Sequence, residues 1–249
     1  MKKSVICVAF LIAQVCSQTT MMKVFQKNGE SLYFNVTDLD SVKFCAASLN
    51  SAGSDTLQAL IDNRISTNTT NRYGSDTLLW VGAYDNFTIS RSLLQFSIPT
   101  NMGNKVVKSA KIQLTLAKWL TASDWSPILH QMTVQPVLGQ WDELQTTSTM
   151  KNGVLKWAVA NGDTLVDLAP IKQTFSVSYD PTSIFPKFEI NAMSFLEYWK
   201  NNPNYGLMIR TNFEKKGAYY PAFYSREATQ SAFRPKLIIE YESFTLECP

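Results

Sequence analysis

The stretch Tyr219–Tyr241, YYPAFYSREATQSAFRPKLIIEY, decides the fold class of this chain. It begins with an aromatic run, continues through a Ser-Arg-Glu triplet and a polar loop, and ends in an apolar run. Proline donates no backbone hydrogen bond to a strand ladder, so Pro235 belongs at the start of a strand and not inside it. The stretch therefore predicts a closing hairpin whose last strand, Lys236–Tyr241, completes a sheet.

Upstream of this stretch, short β-prone runs follow one another from about residue 56 onward. Residues 111–116 read Lys-Ile-Gln-Leu-Thr-Leu, the apolar–polar alternation of a half-buried strand. Many short strands separated by turns favour an all-β, jelly-roll β-sandwich. The predicted strands lie within 57–65, 77–82, 92–98, 110–116, 132–137, 175–179, 187–190, 205–211, 222–225 and 236–241.

One short helix is predicted between the strands, from Asn191 to about Asn201. Asn191 is a suitable N-cap, and the apolar residues at 192, 195, 196 and 199 fall on one helical face. Pro203 ends the helix. Trp199 is accordingly predicted to fill the core.

The first residues have the three parts of a secretory signal. Lys2 and Lys3 precede an apolar run, Val5–Val15, that is too short for a permanent membrane span. Cleavage after Ser17 predicts a signal peptide over 1–17, whereas acylation at Cys16 would make a lipoprotein. Both alternatives predict export, with the protein secreted, periplasmic or on the cell surface and without a transmembrane segment in the mature chain.

Residues 18–54 are predicted to form a small N-terminal element. Two strand-like runs, Met22–Gln26 and Ser31–Val36, flank an Asn-Gly pair that suits a type I′ turn, which predicts a β-hairpin. The small residues of 46–54 (AASLNSAGS) predict a linker. The remaining residues, 55–249, are predicted to form the sandwich domain.

Charge and cysteine content narrow the function classes. Without Lys2 and Lys3 the 23 basic residues fall to 21, against 20 acidic ones. A near-neutral chain argues against nucleic-acid binding, which needs a basic surplus. Signal cleavage would leave Cys45 and Cys248, which either form a disulfide across a very long loop or stay as free thiols.

The residues offer little catalytic chemistry. His130 is the only histidine of the chain, and the sequence around it gives no argument for a Ser-His-Asp or a Cys-His set. Phosphate-binding glycine loops are absent from the sequence as well. Glycosidases need only two carboxylates, and Asp124, Asp142, Glu143 and Glu227 leave that alternative open. The prediction is a protein that is not an enzyme.

Aromatic side chains in loop-like segments suggest a sugar-binding surface, because sugars stack their C–H faces on Trp and Tyr rings. Partly buried packing is the alternative for each of them. The loop at 71–76, rich in oxygen-bearing side chains, suggests a structural calcium ion. The predicted stacking residues are Trp119, Trp125, Tyr219 and Tyr220, and Arg72 and Lys215 would assist with an acidic polysaccharide.

With these segments identified, the chain resembles the DNRLRE-type domain grouped with carbohydrate-binding module family 96. The resemblance spans about 57–242. Residues 27–44 separately resemble a short segment of exported proteins from Bacteroidetes-type bacteria. The matching segments are Asp62-Asn63-Arg64-Ile65, Asn71-Arg72-Tyr73-Gly74, Leu78-Leu79-Trp80-Val81-Gly82, Arg91-Ser92-Leu93-Leu94-Gln95-Phe96, Val107–Leu114, Trp141-Asp142-Glu143, Asn204-Tyr205-Gly206-Leu207, Ser225-Arg226-Glu227 and Arg234-Pro235-Lys236-Leu237.

This resemblance implies a jelly-roll sandwich that binds polysaccharide without catalysis. It implies framework roles for most of the matching residues, and Arg226 and Glu227 are expected to form an ion pair and not to touch sugar. The rival expectation is a structural or adhesive surface protein that uses the same sandwich to contact other proteins.

Overall fold

A computed structural model describes residues 21–25, 31–35, 46–67, 69–83, 88–99, 105–120, 130–162, 166–178, 183–212, 214 and 220–247. Within these residues the chain is all-β with one short helix, as predicted. The strands are β1 Met21–Phe25, β2 Ser31–Asn35, β3 Ala46–Ser66, β4 Leu78–Trp80, β5 Gly82–Ala83, β6 Ile89–Phe96, β7 Lys105–Leu120, β8 His130–Pro136, β9 Gln173–Val177, β10 Lys187–Asn191, β11 Leu207–Thr211, β12 Tyr220–Tyr224 and β13 Lys236–Glu247; the helix is α1 Met193–Asn201, and Ser231–Phe233 form a 3-10 turn.

The chain divides into two compact units. The first comprises Met1–Gly53, Asn101–Val106 and Tyr241–Pro249, and the second comprises Ser54–Thr100 and Val107–Glu240. The first unit contains the predicted hairpin, because β1 and β2 pair antiparallel with Met21 opposite Asn35. The predicted signal peptide lies outside the described residues.

The predicted linker over 46–54 is a strand in the structure. β3 begins at Ala46 and continues without interruption to Ser66. Gly53 suits this strand because a Cβ atom there would lie 2.7 Å from the ring of Tyr241, which would then have to shift. A glycine inside a strand often marks such a close approach of a neighbouring group. Gly53 therefore makes room for a ring, and the small residues of 46–54 do not break the strand.

One large antiparallel sheet forms the sandwich by folding back on itself. Its strand order is β4-β12-β7-β13-β3-β6-β11-β8-β9, with β10 added on β7 and β5 on β6. β12 and β9 are far apart along this order, yet the rings of Phe223 and Phe175 lie 6.3 Å apart. Leu79, Phe96, Leu114 and Phe223 are almost completely buried. Inward-facing side chains of the two layers thus form the core, as expected for a β-sandwich.

The closing stretch forms two strands as predicted, but they do not pair with each other. β12 and β13 both neighbour β7, which lies between them. Tight hairpins need short loops, whereas the loop at 225–235 is long enough to cross a strand. Pro235 lies immediately before β13, and its carbonyl accepts a hydrogen bond from the Ala59 amide at 3.2 Å. The predicted position of Pro235 is correct, and the predicted hairpin is wrong.

Helix α1 confirms the sequence prediction with a shift at its start. Asn191 is the last residue of β10, and its Oδ1 atom accepts the Met193 amide at 2.9 Å. Phe195 is fully buried, and its ring lies 6.1 Å from that of Trp199. Trp199 is half-buried and packs against the core, as predicted.

The described residues of 138–170, which are 138–162 and 166–170 and are here called the excursion, cover one face of the sheet. Three of the excursion's side chains, Trp141, Trp157 and Leu168, form a buried cluster with Ile65 of β3, Leu93 of β6, Met208 of β11 and Val137. The other face of β6 carries Leu94 and Phe96, which are also buried. Strand β6 therefore lies between two apolar layers, which the sequence did not predict.

Arg91 of β6 holds the excursion through a hydrogen bond and is itself held by an ion pair with Glu214. Arg91, which is 3% exposed, donates from Nε and Nη2 to the Glu214 carboxylate at 2.8 and 2.6 Å. Its Nη1 atom donates to the backbone carbonyl of Asn161 at 2.9 Å. A two-pronged guanidinium contact fixes orientation as well as distance.

In the described part of the chain, no helix has both the length and the apolar character that a bilayer crossing requires.

We predict a disulfide between Cys45 and Cys248, which lie outside the described residues. β3 begins one residue after Cys45, β13 ends one residue before Cys248, and the two strands are neighbours. A non-reducing peptide map should join the two cysteine peptides. Reduction should lower the free energy of unfolding by up to about 5 kcal/mol, since the closed loop is long. Full alkylation of both cysteines in unfolded, non-reduced protein would contradict the prediction.

Candidate functional site

Three segments that are distant in sequence bring four charged side chains together. Asp62 lies in β3 opposite Leu94 of β6, and Glu143 lies in a turn at the start of the excursion. Arg226 and Glu227 lie in the turn that follows β12. We call these four residues the carboxylate–arginine cluster.

The guanidinium of Arg226 is the centre of the cluster. Its Nε and Nη2 atoms donate to Oε1 and Oε2 of Glu143, each at 2.7 Å. Nε also lies 2.9 Å from Oε1 of Glu227, which confirms the predicted Arg226–Glu227 ion pair. These hydrogen bonds raise the pKa of Arg226 above its ordinary value, with Glu143 as the main cause. One guanidinium group therefore forms ion pairs with two carboxylates.

Backbone hydrogen bonds tie the same residues into the three segments. The Asp62 amide donates to Oε1 of Glu143 at 2.9 Å, and the Arg226 amide donates to Oδ2 of Asp62 at 2.6 Å. Asn63 adds a side-chain hydrogen bond to the carbonyl of Glu143 at 2.9 Å. The cluster thus fixes β3, the excursion and the turn after β12 to one another.

The loop at 71–76 also depends on this contact. Gly74 lies against the backbone carbonyl of Glu143, and a Cβ atom at Gly74 would collide with it. Backbone atoms cannot move aside as a flexible side chain can. Glycine is therefore required at this position for the loop to reach the cluster.

Asp62 is the most perturbed acid of the described residues. Its side chain is 1% exposed, and burial raises the pKa of Asp62 to about 8. The negative charges of Glu227 and Glu143 raise this pKa further, whereas the hydrogen bond from the Arg226 amide lowers it. Asp62 is consequently a neutral acid at neutral pH.

The three acids of the cluster are close enough together to suggest a cation site. Carboxylate oxygens of Asp62, Glu143 and Glu227 lie within 4.8 Å of one another, and hard cations such as Ca²⁺ prefer oxygen ligands. However, Arg226 already engages both oxygens of Glu143 and one oxygen of Glu227. Arg226 therefore already occupies most of the carboxylate oxygens that a calcium ion would need, so this donor set does not fit calcium.

The loop at 71–76 offers calcium only one carboxylate, and that carboxylate is engaged. Oδ2 of Asp76 accepts a hydrogen bond from Nη2 of Arg64 at 2.9 Å. An ion-paired carboxylate would first have to lose its arginine before binding a metal. The structural calcium suggested by the sequence therefore stays a prediction that this geometry does not favour.

A surface of rings and guanidinium groups lies beside this loop. The Arg64 guanidinium lies 3.8 Å above the ring centroid of Tyr73, a cation–π contact. Tyr73 is half-buried, and the neighbouring Arg72 is exposed. Trp80, also half-buried, stacks on Tyr220 with ring centroids 4.6 Å apart. We call Arg64, Arg72, Tyr73 and Trp80 the Tyr73–Trp80 surface.

The structure places Tyr220 in the packing of the sandwich. Its ring is 6% exposed, and its hydroxyl shares a hydrogen bond of 2.6 Å with Ser90. Burial raises the pKa of Tyr220 above its ordinary value. This packing does not favour the predicted sugar-stacking role of Tyr220, because Trp80 covers one face of a ring that solvent hardly reaches.

The other predicted sugar-binding residues have different outcomes. Trp125, Tyr219 and Lys215 lie outside the described residues. Trp119 is in β7, where its backbone pairs with Pro221 of β12. Arg72 is exposed, as its predicted role requires. The structure brings the strands of Trp119 and Tyr220 side by side.

The sequence reasoning missed Arg64, Tyr73 and Trp80 as surface candidates. Trp80 was treated only as part of a strand, although the pattern Leu78-Leu79-Trp80 contained the signal. Leu79 is buried while Leu78 and Trp80 are half-buried. Side chains alternate between the two faces of a strand, so Trp80 and the core residue Leu79 could not share a face.

A second aromatic group lies at the other end of β12. The rings of Tyr224 and Phe233 are stacked at 4.9 Å, and Phe185 lies 4.8 Å from Phe233. Phe185 adopts a left-handed backbone conformation, with φ of 59°, which strains a residue with a bulky side chain. The preceding Ile184 is 83% exposed. This apolar surface is suited to contact with a partner.

Comparisons with known proteins give no family. No protein-family model and no curated protein match the chain. One solved structure, described as "KBV activated particle at acidic pH", has 10% identity and a TM-score of 0.20 over 78% of this chain and 71% of that one. An Infectious Bursal Virus derived T=1 particle has 11% identity and a TM-score of 0.13 over 92% and 67%. Similarity this low carries no argument about function.

We call the paired hydrogen bonds from Nε and Nη2 of Arg226 to the Glu143 carboxylate the fork. We predict that Arg226→Ala destabilises the fold because the fork is lost. Breaking an ion pair leaves its partner uncompensated, and Glu143 is only 11% exposed. Because Arg226 itself is 37% exposed, solvent limits the loss to about 2 kcal/mol in urea unfolding. Arg226→Lys should restore little, since an ammonium group cannot form the fork.

The matched control is the exposed ion pair of Lys111 and Glu189, whose side chains are 48% and 47% exposed. Lys111→Ala should leave the urea midpoint nearly unchanged, because water screens this pair. Equal effects of Lys111→Ala and Arg226→Ala would contradict a special role for the fork.

Proposed function

We propose that this chain is an exported, non-catalytic β-sandwich protein that binds polysaccharide. The observation that carries the proposal is the Tyr73–Trp80 surface, which has half-buried rings at Tyr73 and Trp80, the guanidinium of Arg64 stacked on Tyr73, and the exposed Arg72 next to Tyr73 in the sequence. Sugar rings stack their C–H faces on aromatic side chains. Guanidinium groups hydrogen-bond hydroxyls and form forked contacts with the carboxylates of an acidic polysaccharide. The surface offers both kinds of contact at one place.

The resemblance to the DNRLRE-type domain supports the same proposal. Four of the residues that carry this resemblance, in three separate motifs, form the carboxylate–arginine cluster. A framework role explains why such charged residues would accompany the fold. Ligand contacts would then fall to neighbouring loops, where Tyr73 and Arg72 lie.

A non-catalytic role is argued from access to the acids. Glycoside hydrolysis needs a protonated acid beside the scissile bond, and a raised pKa is typical of such an acid. Asp62 has the raised pKa but is 1% exposed. A polysaccharide cannot reach an acid that water itself hardly reaches. We therefore propose binding without bond cleavage.

Contact with other proteins is the second candidate function. It is favoured by exposed apolar side chains, which monomeric proteins seldom gather on one surface. Ile184 and Phe185 adjoin the stacked rings of Tyr224 and Phe233. On the excursion, Val154 and Val166 are 84% and 68% exposed. A structural or adhesive surface protein would use such patches.

Affinity electrophoresis against a panel of neutral and acidic polysaccharides tests the proposal. At least one polysaccharide should retard the wild-type protein. Tyr73→Ala should weaken that interaction about five- to tenfold, the worth of one stacked ring. Arg72→Ala should weaken binding to acidic polysaccharides more than to neutral ones, because only the former offer a carboxylate.

Lys172→Ala, which also removes an exposed cation, is the matched control and should bind like the wild type. If the protein is folded and no polysaccharide in the panel retards it, the proposal is contradicted and contact with other proteins is favoured. Release of new reducing ends from a bound polysaccharide would instead favour an enzyme.

A further inference from the structure

The carboxylate–arginine cluster contains more negative than positive charge. Fully ionised, its three carboxylates would face the single guanidinium of Arg226. Asp62 would then carry a charge at a position that is 1% exposed. An uncompensated charge is too costly to bury, and such a group is neutralised instead. The cluster therefore needs another source of positive charge.

A buried acceptor without a donor shows where that charge is missing. Oε2 of Glu227 is buried and, among the described residues, accepts no hydrogen bond. Its other oxygen, Oε1, is engaged by Arg226 at 2.9 Å. Buried carboxylate oxygens normally have a partner, so this one requires an explanation.

Asp62 is placed to supply the missing donor. Its Oδ2 atom accepts the Arg226 amide, and its carboxyl group is a hydrogen-bond partner of the Glu227 carboxyl group. Two ionised carboxylates repel each other and cannot share a hydrogen bond, whereas one proton between them satisfies both. The geometry thus calls for a proton where Asp62 meets Glu227.

We propose that one proton shared by Asp62 and Glu227 holds the turn after β12 against β3 and the excursion. We call this shared-proton contact the lock, and deprotonation in alkaline solution breaks it. The lock joins the segments that carry Asp62, Glu143 and Arg226. Losing the proton places two negative charges side by side in the interior. The turn that carries Glu227 is then pushed away from β3.

The charged groups that face Asp62 come from each adjoining segment. Glu143 faces it from the excursion, and Arg226 and Glu227 face it from the turn after β12. Across the ladder in β6 the opposite residue is the neutral Leu94. Along β3, the nearby Arg64 is already paired with Asp76. Among the neighbouring charges, those of Glu227 and Glu143 therefore have the main influence on how tightly Asp62 holds its proton.

The sign of the pH dependence follows from proton binding. The pKa of Asp62 is 3.8 ordinarily and about 8 in the fold, so the folded state holds the proton more tightly than the unfolded state. The stabilisation is complete at pH values below the ordinary pKa. It is lost progressively as the pH rises from about 4 to about 8, and stability changes no further above that range.

Urea unfolding of wild type and Asp62→Asn at about pH 5 and about pH 9 tests the proposal. The amide of the variant accepts the Arg226 amide through its oxygen and donates to Glu227 through its nitrogen, without a titrating proton. The wild-type midpoint should fall between these pH values, and the variant midpoint should fall clearly less. At the alkaline pH the variant should be the more stable protein.

Glu189→Gln, which neutralises an exposed carboxylate, is the control and should keep the wild-type pH dependence. If Asp62→Asn does not fold, a carbon-13 NMR titration of aspartate carboxyl groups in the wild type replaces it. One aspartate should then titrate near pH 8.

Three outcomes would overturn the proposal. The first is an equal pH dependence in wild type and Asp62→Asn. The second is a wild-type NMR titration in which every aspartate has an ordinary pKa. The third is a wild-type midpoint at alkaline pH that calcium raises to the value of Asp62→Asn and that a chelator lowers again, since a cation would then supply the charge that we assign to the proton.

Discussion

The fork between Arg226 and Glu143 is the interaction on which the rest of this structure depends. It connects the turn after β12 with the excursion, and the Asp62 amide brings β3 into the same contact. These segments are separated by more than eighty residues, with 83 between the two members of the fork. Ion pairs that water reaches contribute little, but one in which Glu143 is 11% exposed also fixes geometry. The fork therefore positions segments that backbone pairing alone does not connect.

The excursion gives this contact its structural importance. It lays Trp141, Trp157 and Leu168 over β3, β6 and β11, so that β6 is buried on both faces. Long irregular segments rarely cover a sheet without polar anchors, because their own backbone groups need partners. Arg91 anchors the excursion through the carbonyl of Asn161, and Glu143 anchors it at its start. The apolar layer and the charged anchors are two parts of one arrangement.

The two surfaces near the ends of β12 differ in character. The Tyr73–Trp80 surface combines half-buried rings with arginines, whereas Phe185, Tyr224 and Phe233 form a mainly apolar group. Polysaccharide ligands require polar as well as apolar contacts, and an apolar group is better suited to protein. The first surface is therefore the one that we propose for polysaccharide. Rings that looked equivalent in the sequence acquire different roles from their neighbours in space.

The sequence alone determined the fold class, the short helix, the N-terminal hairpin and the start of β13. Each depends on local properties: alternation in the strands, a helical apolar face at 192–199, an Asn-Gly turn and a proline that cannot donate to a ladder. Only the tertiary structure decided that β7 separates β12 from β13, that Tyr220 is buried and that Asp62 meets Glu227. Those outcomes depend on which distant segments become neighbours. A sequence pattern reports the faces of a strand, but not which strand or side chain will cover them.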